Sequence, residues 1–214
     1  MSVCPLCHSD SLLSFDQDKH REYMICAVCD LVTVPDQYLL SEADEKAFYD
    51  NHQNSSDDMG YRRFLSRTWT PLLARIKSGQ HGLDFGCGPG PTISVMASEA
   101  GIAMENYDLY YFNRPSLLEK TYDFITMTEV IEHVADADAL LRRLSAMLAN
   151  GGVLAIMTKR VLGKEAFTHW HYKHDLTHIR FYSVKTFEWI AQHFQLQLEI
   201  IDNDVVFLTK QSAA

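Results

Sequence analysis

The chain has 214 residues, 47% hydrophobic and 22% charged, the profile of a globular protein of one full domain with a small appendage. Its formal net charge is −9, from 28 acidic against 19 basic residues, and no basic run interrupts that balance; both facts argue against a nucleic-acid partner. The N-terminus carries no basic-then-apolar leader and no apolar segment is long enough to span a bilayer, so the expected location is cytoplasmic and no membrane partner is expected.

Four of the five cysteines form two pairs, Cys4-Pro5-Leu6-Cys7 and Cys26-Ala27-Val28-Cys29, with the segment 8–25 between them. In a chain without an export signal, such pairs indicate metal rather than disulfides, and the spacing is that of a four-cysteine zinc ribbon. Residues 1–35 are expected to form that ribbon around one zinc ion, with Tyr23-Met24-Ile25 as a hairpin strand leading into the second knuckle. A Cys₄ site has no open position for water, so the ion is structural; a module this small draws its folding energy from it.

Residues 36–80 are polar and then helical. Ser41 is placed to cap a helix running to Asp50, and 51–60 reads as a loop. The stretch "YRRFLSRTWTPLLARI" sets Tyr61, Phe64, Leu65, Trp69, Leu72, Leu73 and Ile76 at mostly helical spacing, with Pro71 allowing a kink. Core packing is the expected role of most of these aromatics.

From residue 82 the pattern alternates. "GLDF" is a short strand, "GCGPG" a glycine loop, and "PTISVMASEA" a helix ended by Gly101. "IAMENYD" and "YDFITMT" are further strands, "EVIEHVADADALLRRLSAMLAN" an amphipathic helix, and "GGVLAIMT" another strand. A His- and aromatic-rich stretch (167–182) precedes the helix "SVKTFEWIAQHF", and the chain closes with an antiparallel hairpin about "DND".

Glycines 86, 88 and 90 follow an acid, Asp84, at the end of a strand and open a helix. A Walker loop would need a Gly-Lys-Ser/Thr ending, and a dinucleotide fingerprint would need Gly or Ala where Pro91 stands. Asp84-Phe85-Gly86-Cys87-Gly88-Pro89-Gly90 instead resembles the first motif of class I S-adenosylmethionine-dependent methyltransferases. "YDFITMTEVIEHV", "LANGGVLAIMT" and the terminal hairpin resemble later parts of that family, over about residues 60–210.

The resemblance implies an α/β, Rossmann-like three-layer sandwich in residues 81–214, behind a helical segment (36–80) that covers the cofactor pocket. It implies S-adenosylmethionine as cofactor, held by Asp84, Gly86, Cys87, Gly88 and Gly90. Asp108, at the end of the next strand, would bind the ribose hydroxyls, and Leu109, Thr128 and Glu129 would face the cofactor. The family usually places a further strand and helices between the ribose acid and the fourth strand. Here only the segment 109–121 intervenes, too short for a crossover helix and a strand. The third strand is therefore expected to be missing and the sheet shortened. Leu109, Tyr110 and Phe112 are candidates to cover the adenine or simply to protect the sheet edge.

The catalytic candidates are His133, after the fourth strand, and His171, Asp175 and His178, after the fifth. A histidine with an orienting aspartate suits a general base, needed if the acceptor is a hydroxyl; activity should then rise through about pH 6–7. Structural roles for these histidines, and a second metal, are the alternatives. The function expected is methyl transfer to a small-molecule hydroxyl or carbon nucleophile. Two alternatives stand beside it: an RNA or protein methyltransferase docking through the ribbon, and a non-catalytic adaptor that binds the cofactor.

Overall fold

A computed structural model describes residues 3–51 and 54–211; of the stretch expected as a loop at 51–60, residues 52 and 53 lie outside the described residues. The main sheet is built from β4 (His81–Phe85), β5 (Ala103–Tyr107), β6 (Tyr122–Thr128), β7 (Leu148–Met157), β9 (Leu196–Ile200) and β10 (Val205–Lys210). They lie in the order β5–β4–β6–β7–β10–β9. The first four are mutually parallel, and β10 runs antiparallel between β7 and β9. The expected α/β sheet with a reversed terminal pair is present, and β5 is its edge: among the described residues no strand follows it on that side.

The central strands are buried on both faces, which is why they read as near-continuous apolar runs. Alternate residues serve the two sides. Phe124, Ala155, Met157 and Phe207 pack under α2 (Met59–Leu73) and α3 (Thr92–Glu99) through Leu65, Trp69 and Ile93. Ile125, Met127, Leu154 and Ile156 pack under α4 (Ala137–Met147) and α6 (Val184–His193) through Leu141, Leu144, Phe187 and Ile190.

Helix boundaries follow their caps. Ser41 caps α1 (Glu42–Tyr49) by accepting from the Asp44 N–H at 3.2 Å, as the sequence indicates. Asp58 accepts from Gly60 and Tyr61 and so starts α2 inside the expected loop; the helix continues through Pro71. The single helix expected over 129–150 is instead a 3-10 turn at Ile131–His133 followed by α4, because Asp136 caps the later start by accepting from Ala139.

Where the third strand would lie, the chain makes a one-residue bridge from Asp108 to Phe112 and a 3-10 turn at Pro115–Glu119. Leu117 is buried there, and the Tyr122 hydroxyl donates to its carbonyl and to Glu105. Lys120 pairs with Glu105 across the open edge at 2.9 Å. A charged, capped edge of this kind resists pairing with another strand.

The N-terminal region forms its own sheet. β1 (Leu12–Gln17) and β2 (Glu22–Cys26) are an antiparallel hairpin, β2 pairs with β3 (Val32–Thr33), and β3 pairs with β8 (Arg180–Phe181). The ribbon thus takes its fourth strand from the segment after β7. Phe15, Tyr23 and Val32 share a core with Phe167 of the short α5 (Lys164–Thr168), Tyr172 and Phe181 across that junction.

Candidate active site

A cavity of about 710 Å³ opens at the carboxyl ends of β4, β5 and β6. Its floor at one end is the glycine loop. Gly86 and Gly88 both have left-handed backbones (φ 75° and 63°), which a side chain would strain. The Gly86 and Cys87 N–H groups turn to the Tyr107 carbonyl, joining the loop to the end of β5. A Cβ on Gly86 would overlap Val130 and one on Gly90 would overlap the Asn54 carbonyl, whereas at Gly88 the nearest atom is 3.9 Å away. Gly88 therefore faces open space, and Gly90 does not line the cavity: it admits the chain just before α2.

Asp108 ends β5 with both carboxylate oxygens already oriented by backbone. One accepts from Gly88 N–H at 3.0 Å, the other from Tyr110 and Tyr111 at 2.9 and 3.1 Å. The oxygen bonded to Gly88 keeps a further lone pair for a hydroxyl, while the other is filled by its two backbone donors. Asp84, only 3% exposed, accepts from Thr126 at 2.7 Å; burial pushes its carboxyl up to about 7.

Glu129 follows β6 in a left-handed conformation (φ 53°), fixed by its N–H donating to Met157 at 2.8 Å. Burial and the neighbouring Glu132 push its carboxyl up to about 8, and its Oε1 is buried with no hydrogen-bond partner among the described residues. Glu132, fully buried, is held near 7 by burial, while the Tyr172 hydroxyl donates to both glutamates. Asp84 and Glu129 line the cavity, and a cationic ligand beside them would favour the ionised form that burial opposes.

The opposite wall carries His133, His178 and Asp175. The rings of His133 and His178 lie 4.7 Å apart. His178 Nδ1 lies 2.7 Å from the Tyr172 carbonyl, and His133 Nδ1 lies 3.1 Å from that of Thr177. A carbonyl only accepts, so each Nδ1 carries a proton, and in the neutral ring the lone pair is left on Nε2. Burial and then His133 lower His178 to about 4, keeping it neutral. Burial opposes ionisation of Asp175, but Thr177 hydrogen bonds and the two imidazoles outweigh it and hold the carboxyl below its usual range. His178 Nε2 and Asp175 Oδ2 are 3.7 Å apart.

Of the residues expected from the sequence, Asp84, Gly86, Cys87, Gly88, Asp108, Leu109, Thr128 and Glu129 line this cavity with His133, Asp175 and His178. His171 does not. It lies in a 3-10 turn whose buried members are Tyr172 and Lys173, which leaves His171 exposed. Leu109 and Tyr110 reach the cavity and Phe112 does not. The Cys87 thiol is pushed up by burial and the nearby acids, which leaves it a packing group.

Sequence reasoning placed a cover in residues 36–80 but did not name the side chains that form it. Tyr61 and Phe64 of α2, expected as core, line the cavity, as do Glu45 and Tyr49 of α1. The Tyr49 and Tyr110 hydroxyls both donate to Glu45 at 2.9 Å, and that of Tyr111 donates to Asp50 at 2.8 Å, tying α1 to the loop after β5. Glu45 and Tyr49 at i,i+4 were the available signal.

The four ribbon cysteines are free thiols with ligand atoms all within 4.8 Å of one another; Cys4–Cys29 and Cys7–Cys26 Sγ atoms are 3.5 and 3.4 Å apart. Four sulfurs about 2.3 Å from one zinc in a tetrahedron stand about 3.8 Å apart, so this set fits the ion with a small expansion. The residues after each pair, His8 and Asp30, are left-handed (φ 57° and 62°), the turn that brings each thiol pair together.

Residues 59–200 match a family model described as a methyltransferase domain. The chain belongs to that family. A curated relative, the ubiquinone biosynthesis O-methyltransferase of Parvibaculum lavamentivorans, is 39% identical over 77 residues, which is 36% of this chain and 30% of the relative. The chain thus aligns with less than a third of that relative's length. Among solved structures, the 1,6-didemethyltoxoflavin-N1-methyltransferase of Burkholderia thailandensis, with its substrate and S-adenosylhomocysteine bound, superposes with a TM-score of 0.57 at 13% identity, covering 93% of this chain and 99% of that one. An O-methyltransferase family protein from the same organism gives 0.52 at 10% identity, over 83% and 62%. Both share this chain's fold.

Proposed function

We propose that this protein transfers a methyl group from S-adenosylmethionine to an oxygen or carbon nucleophile of a small molecule. The observation that carries the reading is one cavity with Asp108 and the glycine loop at one end and the paired imidazoles of His133 and His178 at the other. When bound, S-adenosylmethionine supplies an electrophilic methyl on a sulfonium cation. The chain supplies the rest. Gly86–Gly88 backbone and the Asp108 carboxylate receive the cofactor, with Asp108 accepting the ribose hydroxyls. Asp84, Glu129 and the faces of Tyr61 and Phe64 favour its positive charge. Leu109 and Tyr110 cover its adenine side in place of the absent third strand.

On the acceptor side, Nε2 of His133 or His178 takes the proton of a hydroxyl acceptor, while Asp175 orients the pair and stabilises the imidazolium formed. With a carbon or already ionised nucleophile, positioning within the cavity suffices. The cover that α1 and the 109–111 loop lay over the site supports a small acceptor over a polymer. The curated relative is named for ubiquinone biosynthesis and the structural neighbour for methylating 1,6-didemethyltoxoflavin, which supports a small-molecule acceptor.

The test is transfer of labelled methyl from S-adenosylmethionine into a fractionated cell extract. Label in the small-molecule fraction, lost in a Gly88→Val variant, is expected. Label in the RNA or protein fraction instead would replace the acceptor class, and no transfer beside tight cofactor binding would replace the reading with a cofactor-binding adaptor.

A further inference from the structure

Arg21, immediately before β2, is 2% exposed, yet among the described residues no carboxylate touches its guanidinium directly. Its Nη1 donates to the Leu176 carbonyl at 3.0 Å, and its Nη2 to those of Lys173 and Asp175 at 2.8 and 2.9 Å. Its Nε donates to the Tyr23 hydroxyl at 3.0 Å, which in turn donates to Asp18 at 2.7 Å, so the fork is held from behind. A buried guanidinium is tolerated only where its donors are satisfied, and charge-assisted bonds to carbonyls are strong and directional. All three carbonyls belong to one loop, and that loop lies across the domain junction from the ribbon.

The same loop is the acceptor wall of the cavity. It carries Asp175 and His178, and its Tyr172 and Thr177 carbonyls set the protons on Nδ1 of His178 and His133. Lys173, 1% exposed, adds an ion pair to Asp16 of β1 beneath the rings of Tyr23 and Phe167. Beyond the loop, Val34 N–H donates to the Ile179 carbonyl at 3.0 Å and β3 pairs with β8.

We propose that Arg21 is a positioning residue for the acceptor side: the ribbon, through this guanidinium, holds the 173–176 backbone so that both imidazoles present Nε2 as the lone-pair nitrogen. The ribbon is then a working part of the active site, without touching the reacting atoms. The inference rests on the proposed acceptor-side role of His133 and His178, but its readout needs no methyl transfer. A purely structural anchor would leave the tautomers unchanged whenever the variant folds.

The experiment uses the zinc-loaded full chain, ¹⁵N-labelled, with S-adenosylhomocysteine added, and reads long-range ¹H–¹⁵N correlations of the imidazoles near pH 7.5. The two rings are assigned from His133→Gln and His178→Gln. Wild type should show both rings with protonated Nδ1 and unprotonated Nε2; any other pattern overturns the proposal. Arg21→Ala should lose the single-tautomer pattern in both rings, and Arg21→Lys, which can still donate to these carbonyls, should restore it in part. His81, at the far end of β4 beside Asp123, is the internal reference and should not move. A folded Arg21→Ala with unchanged rings overturns the proposal. Should that variant fail to fold, Tyr23→Phe, which removes the phenol that accepts from the Arg21 Nε and itself reaches the Lys173 carbonyl at 3.3 Å, decides: a shift in the same direction supports the proposal and unchanged rings overturn it. Failure of wild type to bind S-adenosylhomocysteine would sink the proposed function while leaving the tautomer result standing.

Discussion

The Gly88 N–H donates to the Asp108 carboxylate at 3.0 Å, so the glycine loop after β4 and the acid ending β5 are one preset unit. Among the described residues, the hydrogen bonds that orient this carboxylate come from the Gly88, Tyr110 and Tyr111 N–H groups, so removing the acid takes away their acceptor together with any ligand contact.

Asp108→Ala should therefore weaken S-adenosylhomocysteine binding by about 1.5–3 kcal/mol, on the order of 10- to 150-fold, if both lost bonds involve the charged carboxylate. Gly88→Val should weaken it as well, because a branched side chain would enter the open space that Gly88 faces and its left-handed backbone (φ 63°) would be strained. Calorimetric affinities equal to wild type in both variants would remove the cofactor from this edge of the sheet.

Purified protein should carry about one zinc per chain, bound by Cys4, Cys7, Cys26 and Cys29. Cys26→Ser should release the ion and unfold the ribbon sheet, visible as loss of metal and as faster amide exchange in residues 12–33. A disulfide among these cysteines under reducing conditions would contradict the site.

Asp84 titrates near 7 when folded, against 3.8 for an ordinary aspartate. Between those values the native state holds a proton that the unfolded chain has released, so stability contributed here is present at low pH and lost as pH rises from about 4 to 7. The slope approaches about 1.4 kcal/mol per pH unit within that window. Asp84→Asn removes the ionisation, so its denaturant midpoint should gain on wild type between pH 5 and 7.5. A constant difference between the two proteins across that range would show that Asp84 is ionised throughout.

His178→Ala or His133→Ala should lower turnover on a hydroxyl acceptor by roughly 10²–10⁴, with cofactor affinity nearly unchanged. The pH profile separates the two. A base at His178 should place the ascending limb near pH 4, because burial and His133 depress that imidazole, rather than at the pH 6–7 expected from sequence. A limb in the ordinary imidazole range would assign the proton to another group, and near-normal turnover in both variants would leave positioning alone to carry the reaction.

Much of this was readable from local pattern. Asp84, the glycines and Asp108 sit at fixed offsets on strand ends, and the stretch between Asp108 and Tyr122 was too short for a crossover, so the truncated edge could be inferred directly. The two cysteine pairs were equally local. What stayed hidden depends on contacts between distant segments. Nothing near Arg21 announces a loop in the last quarter of the chain, and nothing near Glu45 announces Tyr110, 65 residues on. His171 and His178 look equivalent in one dimension. The 3-10 turn at 171–174 turns one to solvent, and the second reaches the cavity beyond it.

The fourth strand of the ribbon sheet also bears on how the protein is made. All four metal-binding thiols lie at or before Cys29, but the sheet that surrounds them closes only when Val32–Thr33 meets Arg180–Phe181, far along the chain. During synthesis the knuckles can take up zinc early, while the hairpin beside them keeps an unpaired edge until most of the polypeptide has emerged. Closing so long a loop is slow compared with forming the local helices, so this junction should be among the last parts to consolidate. Mistakes in biogenesis should therefore leave a metal-loaded amino terminus beside an unfinished carboxyl-terminal half, exposed to chaperones and proteases.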